Sequence, residues 1–95
     1  MLFHTMVGSN DIERSKHFYD MVLGTLGAGE GTRNIADSGH TRLIYNNGNG
    51  TNFIVSQPIN DEPASVANGS TVAFSCDSPE QVKQLHDTAV AAGGT

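Results

Sequence analysis

Polar and apolar positions along the chain change period several times, and each change marks an element. Leu2 to Val7 reads as a strand, and Gly8, Ser9 and Asn10 close it. Ile12, Tyr19, Val22, Leu23 and Leu26 then recur at helical spacing, with Phe18 at the edge of the stripe. Asn10 is the expected N-cap, with Glu13 reaching back to it, and Gly24 and Gly27 close the helix. A weaker strand is expected around Arg33 to Asp37. Thr41 to Tyr45 and Thr51 to Gln57 are short runs rich in β-branched and aromatic residues. The polar turn Asn46-Asn47-Gly48-Asn49-Gly50 between them predicts a hairpin. Pro58 to Gly69 has no period and reads as a linker. Ser70 to Cys76 is the next expected strand, and Ser78-Pro79-Glu80-Gln81 opens a second helix. Val82, Leu85, Ala89 and Ala92 make its apolar stripe, and Gly93 and Gly94 stop it.

The two strand–helix units are copies in register. At an offset of 67, Asn10 falls on Asp77, Glu13 on Glu80, Lys16 on Lys83, Phe18 on Leu85, Asp20 on Asp87 and Gly27 on Gly94. In the first copy three further strands follow the helix and finish near Gln57. Their counterparts would end near residue 124, about 29 beyond Thr95. A sheet left without its neighbours has open edges. The expectation is a first module at 1–57, a linker at 58–69 and a partial second module at 70–95. Either the protein is a truncated form, or the natural chain runs on past Thr95, or another chain supplies the cover.

Composition narrows the function classes. The length of 95 residues suits one small domain, and 37 % hydrophobic residues with no Trp allow a thin core. The net charge is -5 with only five Lys and Arg, which argues against nucleic acid as a partner. One cysteine, Cys76, excludes an internal disulfide and fits a reducing compartment. The segment Met1 to Met6 is too short and uncharged for a signal peptide, and no apolar run is long enough for a membrane helix. These readings predict a soluble cytoplasmic protein with no membrane partner.

The run from His4 to Gly27, HTMVGSNDIERSKHFYDMVLGTLG, resembles the opening signature of the vicinal oxygen chelate superfamily: glyoxalase I, bleomycin-resistance proteins, fosfomycin-resistance enzymes and extradiol dioxygenases. Its distinctive parts are the strand His, the Asp-Ile-Glu-Arg-Ser helix start, Phe18-Tyr19 and Leu23-Gly24. Ala67 to Phe74, ANGSTVAF, is similar to the linker and fifth strand of glyoxalase-like proteins. The resemblance implies an α+β fold of paired βαβββ modules, with a curved mixed sheet and helices on its outer face. The second module here would be cut off after its helix. It implies a homodimer, a small-molecule ligand and, in metal-using members, a divalent metal that grips two substrate oxygens.

Carried over residue by residue, His4 matches the first-strand metal ligand. Alternation puts His4, Met6 and Gly8 on one face and Phe3, Thr5 and Val7 on the other, so His4 and Met6 face the cup. The fifth-strand ligand position falls on Thr71, and the fourth strand contains no carboxylate. Met6 and Thr71 are the candidate pocket residues, and catalytic residues are not assigned. On ligand count, a hydrogen-bonded His lining a pocket is the plainer reading of His4. His17 and His86 read as solvated, His40 as a turn residue and Cys76 as a small buried one. Asn49-Gly50-Thr51 and Asn68-Gly69-Ser70 match the glycosylation pattern and read as turns. Two function classes follow. One is a glyoxalase-like lyase or isomerase using Zn, Ni, Mn or Fe on a small oxygenated substrate. The other is a metal-free binder that sequesters a small organic ligand, with a structural remnant lacking an active site as a third option.

Overall fold

The computed structural model describes residues 2–48 and 50–95. The elements run β1 (His4–Gly8), α1 (Ile12–Gly24), β2 (Thr32–Ile35), β3 (Thr41–Tyr45), β4 (Asn52–Ser56) and α2 (Pro79–Ala91). Both helices keep the repeat: α1 runs from residue 12 to 24 and α2 from 79 to 91, an offset of 67 at each end. Their caps share it as well. Asp11 accepts from the Arg14 amide, and Ser78 accepts from the Gln81 amide.

The cap of α1 is therefore Asp11 and not the expected Asn10. Asn10 Oδ1 instead accepts from the Ala64 amide at 2.7 Å and ties the linker to the β1–α1 junction. Glu13 does not turn back to the cap, because it pairs with Arg33 on β2 at 2.6 Å. β2 ends at Ile35, short of the expected Asp37, because the Gly39 amide donates to the Ala36 carbonyl and closes a turn there. β3 and β4 form the expected hairpin, in antiparallel register with Tyr45 opposite Phe53. In its connection, Asn49 lies outside the described residues. Asn68 and Gly69 occupy a turn closed by the Ser70 amide on the Ala67 carbonyl.

The sheet order is β1-β4-β3-β2, with β1 parallel to β4 and the other pairs antiparallel. The crossover from β1 to β4 carries α1 across one face. There Ile12 and Leu23 pack on Leu43, Tyr45, Phe53 and Val55, with Val7, Tyr19, Leu26, Ala28 and Phe74 at the margin. Leu43 is fully buried. Gly31 must be glycine at the mouth of β2, since a Cβ there would stand 2.5 Å from the Tyr45 ring.

One expected strand is missing. Ser70 to Cys76 is extended in sequence character but forms no ladder, because a strand exists only by pairing and no described strand lies beside it. Phe74 still anchors the segment, edge-on to Phe53 with ring centroids 5.1 Å apart. α2 packs against α1 and not on the sheet. Its stripe is consequently half-covered: no residue of α2 is buried, and Val82 is 54 % exposed.

Candidate functional site on the open face of the sheet

No described helix or strand packs on the face of the sheet opposite α1. The strand registers fix which side chains share that face, since residues directly opposite one another point the same way. One row is Gly8, Ser56, Arg42 and Asn34; the next is Met6, Ile54, Ile44 and Thr32; the third begins with His4 and Asn52. The centre of the face is thus an apolar strip of Met6, Ile54 and Ile44. Polar rows border it on both sides. Ile54 is only 7 % exposed because β4 is central and Met6 and Ile44 flank it directly, whereas Met6 on the edge strand is 51 % exposed.

His4 sits at the open end of this face and is exposed, with Phe3 edge-on to its ring. Asn52 beside it accepts from Asn46 Nδ2 at 2.7 Å. The structure therefore puts His4 and Met6 on the face that the alternation predicted. Thr71 is exposed in the unpaired segment. The residues after it, Val72 to Ser75, line a cleft of about 260 Å³ with Leu23, Leu26 and Phe53. That cleft opens on the helix side of β4, so Thr71 leads into a region distinct from the open face.

Among the described residues, the donors on this face do not make a metal centre. His4 is the one imidazole in the three rows, and they contain no carboxylate. Among the described residues no three of His, Cys, Asp and Glu are grouped closely enough to hold a metal ion. A bound divalent ion draws on roughly three or more protein donors. The cation that does stand on this face, Arg42, would repel one.

Arg42 is the residue that the sequence reading missed. Its Nε donates to Asn34 Oδ1 at 3.1 Å, and Nη2 donates to the same oxygen. No carboxylate of the described residues lies within ion-pair distance of it. By contrast Lys16 pairs with Asp20 and Glu30, Arg33 with Glu13, and Lys83 with Asp87. Arg42 could have been found from the sequence, because it alternates with Leu43 and Tyr45, whose size and polarity assign them to the core.

Two other clusters lie away from this face. His40 Nδ1 meets Ser38 Oγ at 2.8 Å, and His40 Nε2 meets Asp61 Oδ1 at 2.8 Å, which ties the β2–β3 turn to the linker. Asp61 is highly exposed, and Ser38 sits in a solvated turn, so the arrangement has the geometry of a latch. Behind the sheet, Asp20 accepts from Tyr45 Oη at 2.8 Å, from the Gly31 amide at 2.9 Å and from Lys16 at 2.7 Å. Burial pushes the Asp20 carboxyl up, but those three donors outweigh it and leave it below its ordinary value. Burial first, and the Asp20 carboxylate second, push the Tyr45 phenol far above its ordinary value. His17 and His86 are exposed, as expected, and Cys76 is half-buried.

No curated protein matches the chain. A crystal structure of a glyoxalase/bleomycin resistance protein from Albidiferax ferrireducens T118 superposes with a TM-score of 0.89 at 46 % sequence identity, covering 100 % of this chain and 74 % of that one. The model of the glyoxalase/bleomycin resistance protein/dioxygenase superfamily matches residues 1–95. With the βαβββ order, the parallel β1–β4 pair and the open face already in place, the chain belongs to that superfamily.

Proposed function

We propose that this protein is a small-molecule-binding member of the superfamily, with the open face of its sheet as the floor of the binding site. The observation that carries the reading is the make-up of that face. An apolar strip of Met6, Ile54 and Ile44 runs between polar rows, and no described helix or strand covers it. Such a surface suits a ligand with an apolar body and polar ends. A second copy of the chain supplies the wall. Support comes from β1, an edge strand with Met6 on it and Leu2 and Phe3 just before it more than half exposed, and from the half-covered stripe of α2. Sedimentation is expected to give a homodimer, and a stable folded monomer at micromolar concentration would refute the two-chain wall. The single free Cys76 supports a cytoplasmic setting, and the pairing of three of the five cations with carboxylates speaks against nucleic acid.

The metal-dependent lyase or isomerase of the same superfamily is the second reading. Its specific support is the His4 ring on the open face. The other donors would have to come from outside the described residues. Metal analysis of the purified protein separates the two. The binder reading expects no stoichiometric Zn, Ni, Mn or Fe, and expects His4→Ala to weaken ligand binding without changing metal content. Stoichiometric metal that is lost in His4→Ala would replace the binder with the enzyme.

A further inference from the structure

Resting on that reading, we propose that the ligand of the open face carries a carboxylate, and that Arg42 binds it. Among the described residues, Arg42 alone combines a half-buried setting with the lack of a carboxylate partner. Lys16, Arg33 and Lys83 each have a carboxylate, and Arg14 is exposed on the first turn of α1. Arg42 is half-buried on the sheet and, among the described residues, has only a neutral partner. Holding a cation partly out of water without a counter-charge is unfavourable. It is the more conspicuous in a chain with ten carboxylates and a net charge of -5.

The partner explains what the arrangement can do. Asn34 sits directly across from Arg42 in the β2–β3 register. Its amide oxygen accepts from both Nε and Nη2, which fixes the plane of the guanidinium. An amide oxygen orients the fork but leaves its charge whole. A guanidinium has five N–H donors, so three remain for a ligand, and a carboxylate matches that planar geometry. Arg42 also stands one row from Ile44 and Ile54. A carboxylate on Arg42 therefore directs an attached apolar body along the strip toward Met6, with His4 and Asn52 at the far border. The ligand class is a small amphipathic carboxylic acid.

The test is an amide-resolved NMR titration of the full chain with matched acid and amide pairs: benzoate with benzamide, hexanoate with hexanamide, and 2-naphthoate with 2-naphthamide. The expected result is shifts at Met6, Asn34, Arg42, Ile44 and Ile54, with at least one acid binding about tenfold more tightly than its amide, the size of one charge-assisted contact. Arg42→Gln should remove that preference while its spectrum stays dispersed, and Arg42→Lys should restore part of it. Amides binding this face as well as their acids, or acids indifferent to Arg42→Gln, would overturn the carboxylate and leave the binding site standing. Probes that shift only residues away from the open face would overturn both.

Discussion

Phe53→Ala is expected to cost about 3–5 kcal/mol of folding stability, the range for emptying a buried aromatic site. Phe53 is 7 % exposed and stands at the junction of the core. Its ring lies 5.1 Å from Tyr19 on α1, 6.5 Å from Tyr45 on β3 and 5.1 Å from Phe74 in the unpaired segment. Removing it leaves a cavity that those three rings can fill only by moving apart from their own neighbours. A domain of this size holds about 5–15 kcal/mol in total, so the variant should lose a large share of its stability and unfold at clearly lower urea. Urea denaturation followed by circular dichroism measures this. Phe74→Ala is the comparison: half-buried and outside any ladder, it should cost clearly less while releasing the Ser70–Cys76 segment. A loss below about 1 kcal/mol for Phe53→Ala would mean that α1 and the segment are held to the sheet by something other than this cluster.

The effect would extend to the open face, because Phe53 lies between Asn52 and Ile54 on β4. Those neighbours point to the open face, and their positions depend on the ring that backs them. An amide-resolved spectrum of Phe53→Ala in the folded fraction should therefore show shifts at His4 and Met6, which pair with Asn52 and Ile54.

How far the sequence carries the reader depends on the range of each interaction. The helices were legible to within a few residues because their signals are local. Asp11 and Ser78 each cap an amide three positions on, and the offset of 67 repeats the signal. Asn10 and Asp11 are both good caps, and local rules cannot choose between them. The choice was made by the linker, whose Ala64 amide, 54 positions away, takes up Asn10. Ser70–Cys76 failed for a related reason. Its composition suits a strand, but a ladder is a property of two segments, and none of the described ones lies beside it. The open face was half legible. Alternation placed His4 and Met6 and could have placed Arg42, but its partner Asn34 emerged only with the β2–β3 register. Thr71 came from the resemblance, and in the structure it is an exposed residue leading into the helix-side cleft.

The least legible feature is the cluster at Asp20, and it gives the second large prediction. Asp20→Ala is expected to cost about 2–4 kcal/mol, since it strands one donor at about 1–3 kcal/mol and all but strands a second. The first is the Gly31 amide, at the mouth of β2; the second is the hydroxyl of Tyr45, a residue only 2 % exposed, which would keep just a long 3.4 Å bond to the Lys16 carbonyl. Lys16 suffers less, because it keeps Glu30 at 2.6 Å. Tyr45→Phe alone should cost about 1 kcal/mol, since Asp20 retains Gly31 and Lys16. In the double variant the hydroxyl is no longer stranded, so the combined loss should fall short of the sum. The pH dependence has a definite sign at each end. Asp20 titrates lower in the folded chain, so its contribution is full above the unfolded carboxylate value of about 4 and disappears as pH falls through the folded value. Tyr45 titrates higher when folded, so its contribution is full below about pH 10 and declines as pH climbs from there toward the folded value. Asp20→Ala should flatten the acid limb of a stability profile, and Tyr45→Phe the alkaline limb. Strictly additive losses, or an acid limb unchanged in Asp20→Ala, would show that the carboxylate and the phenol are neighbours without being coupled.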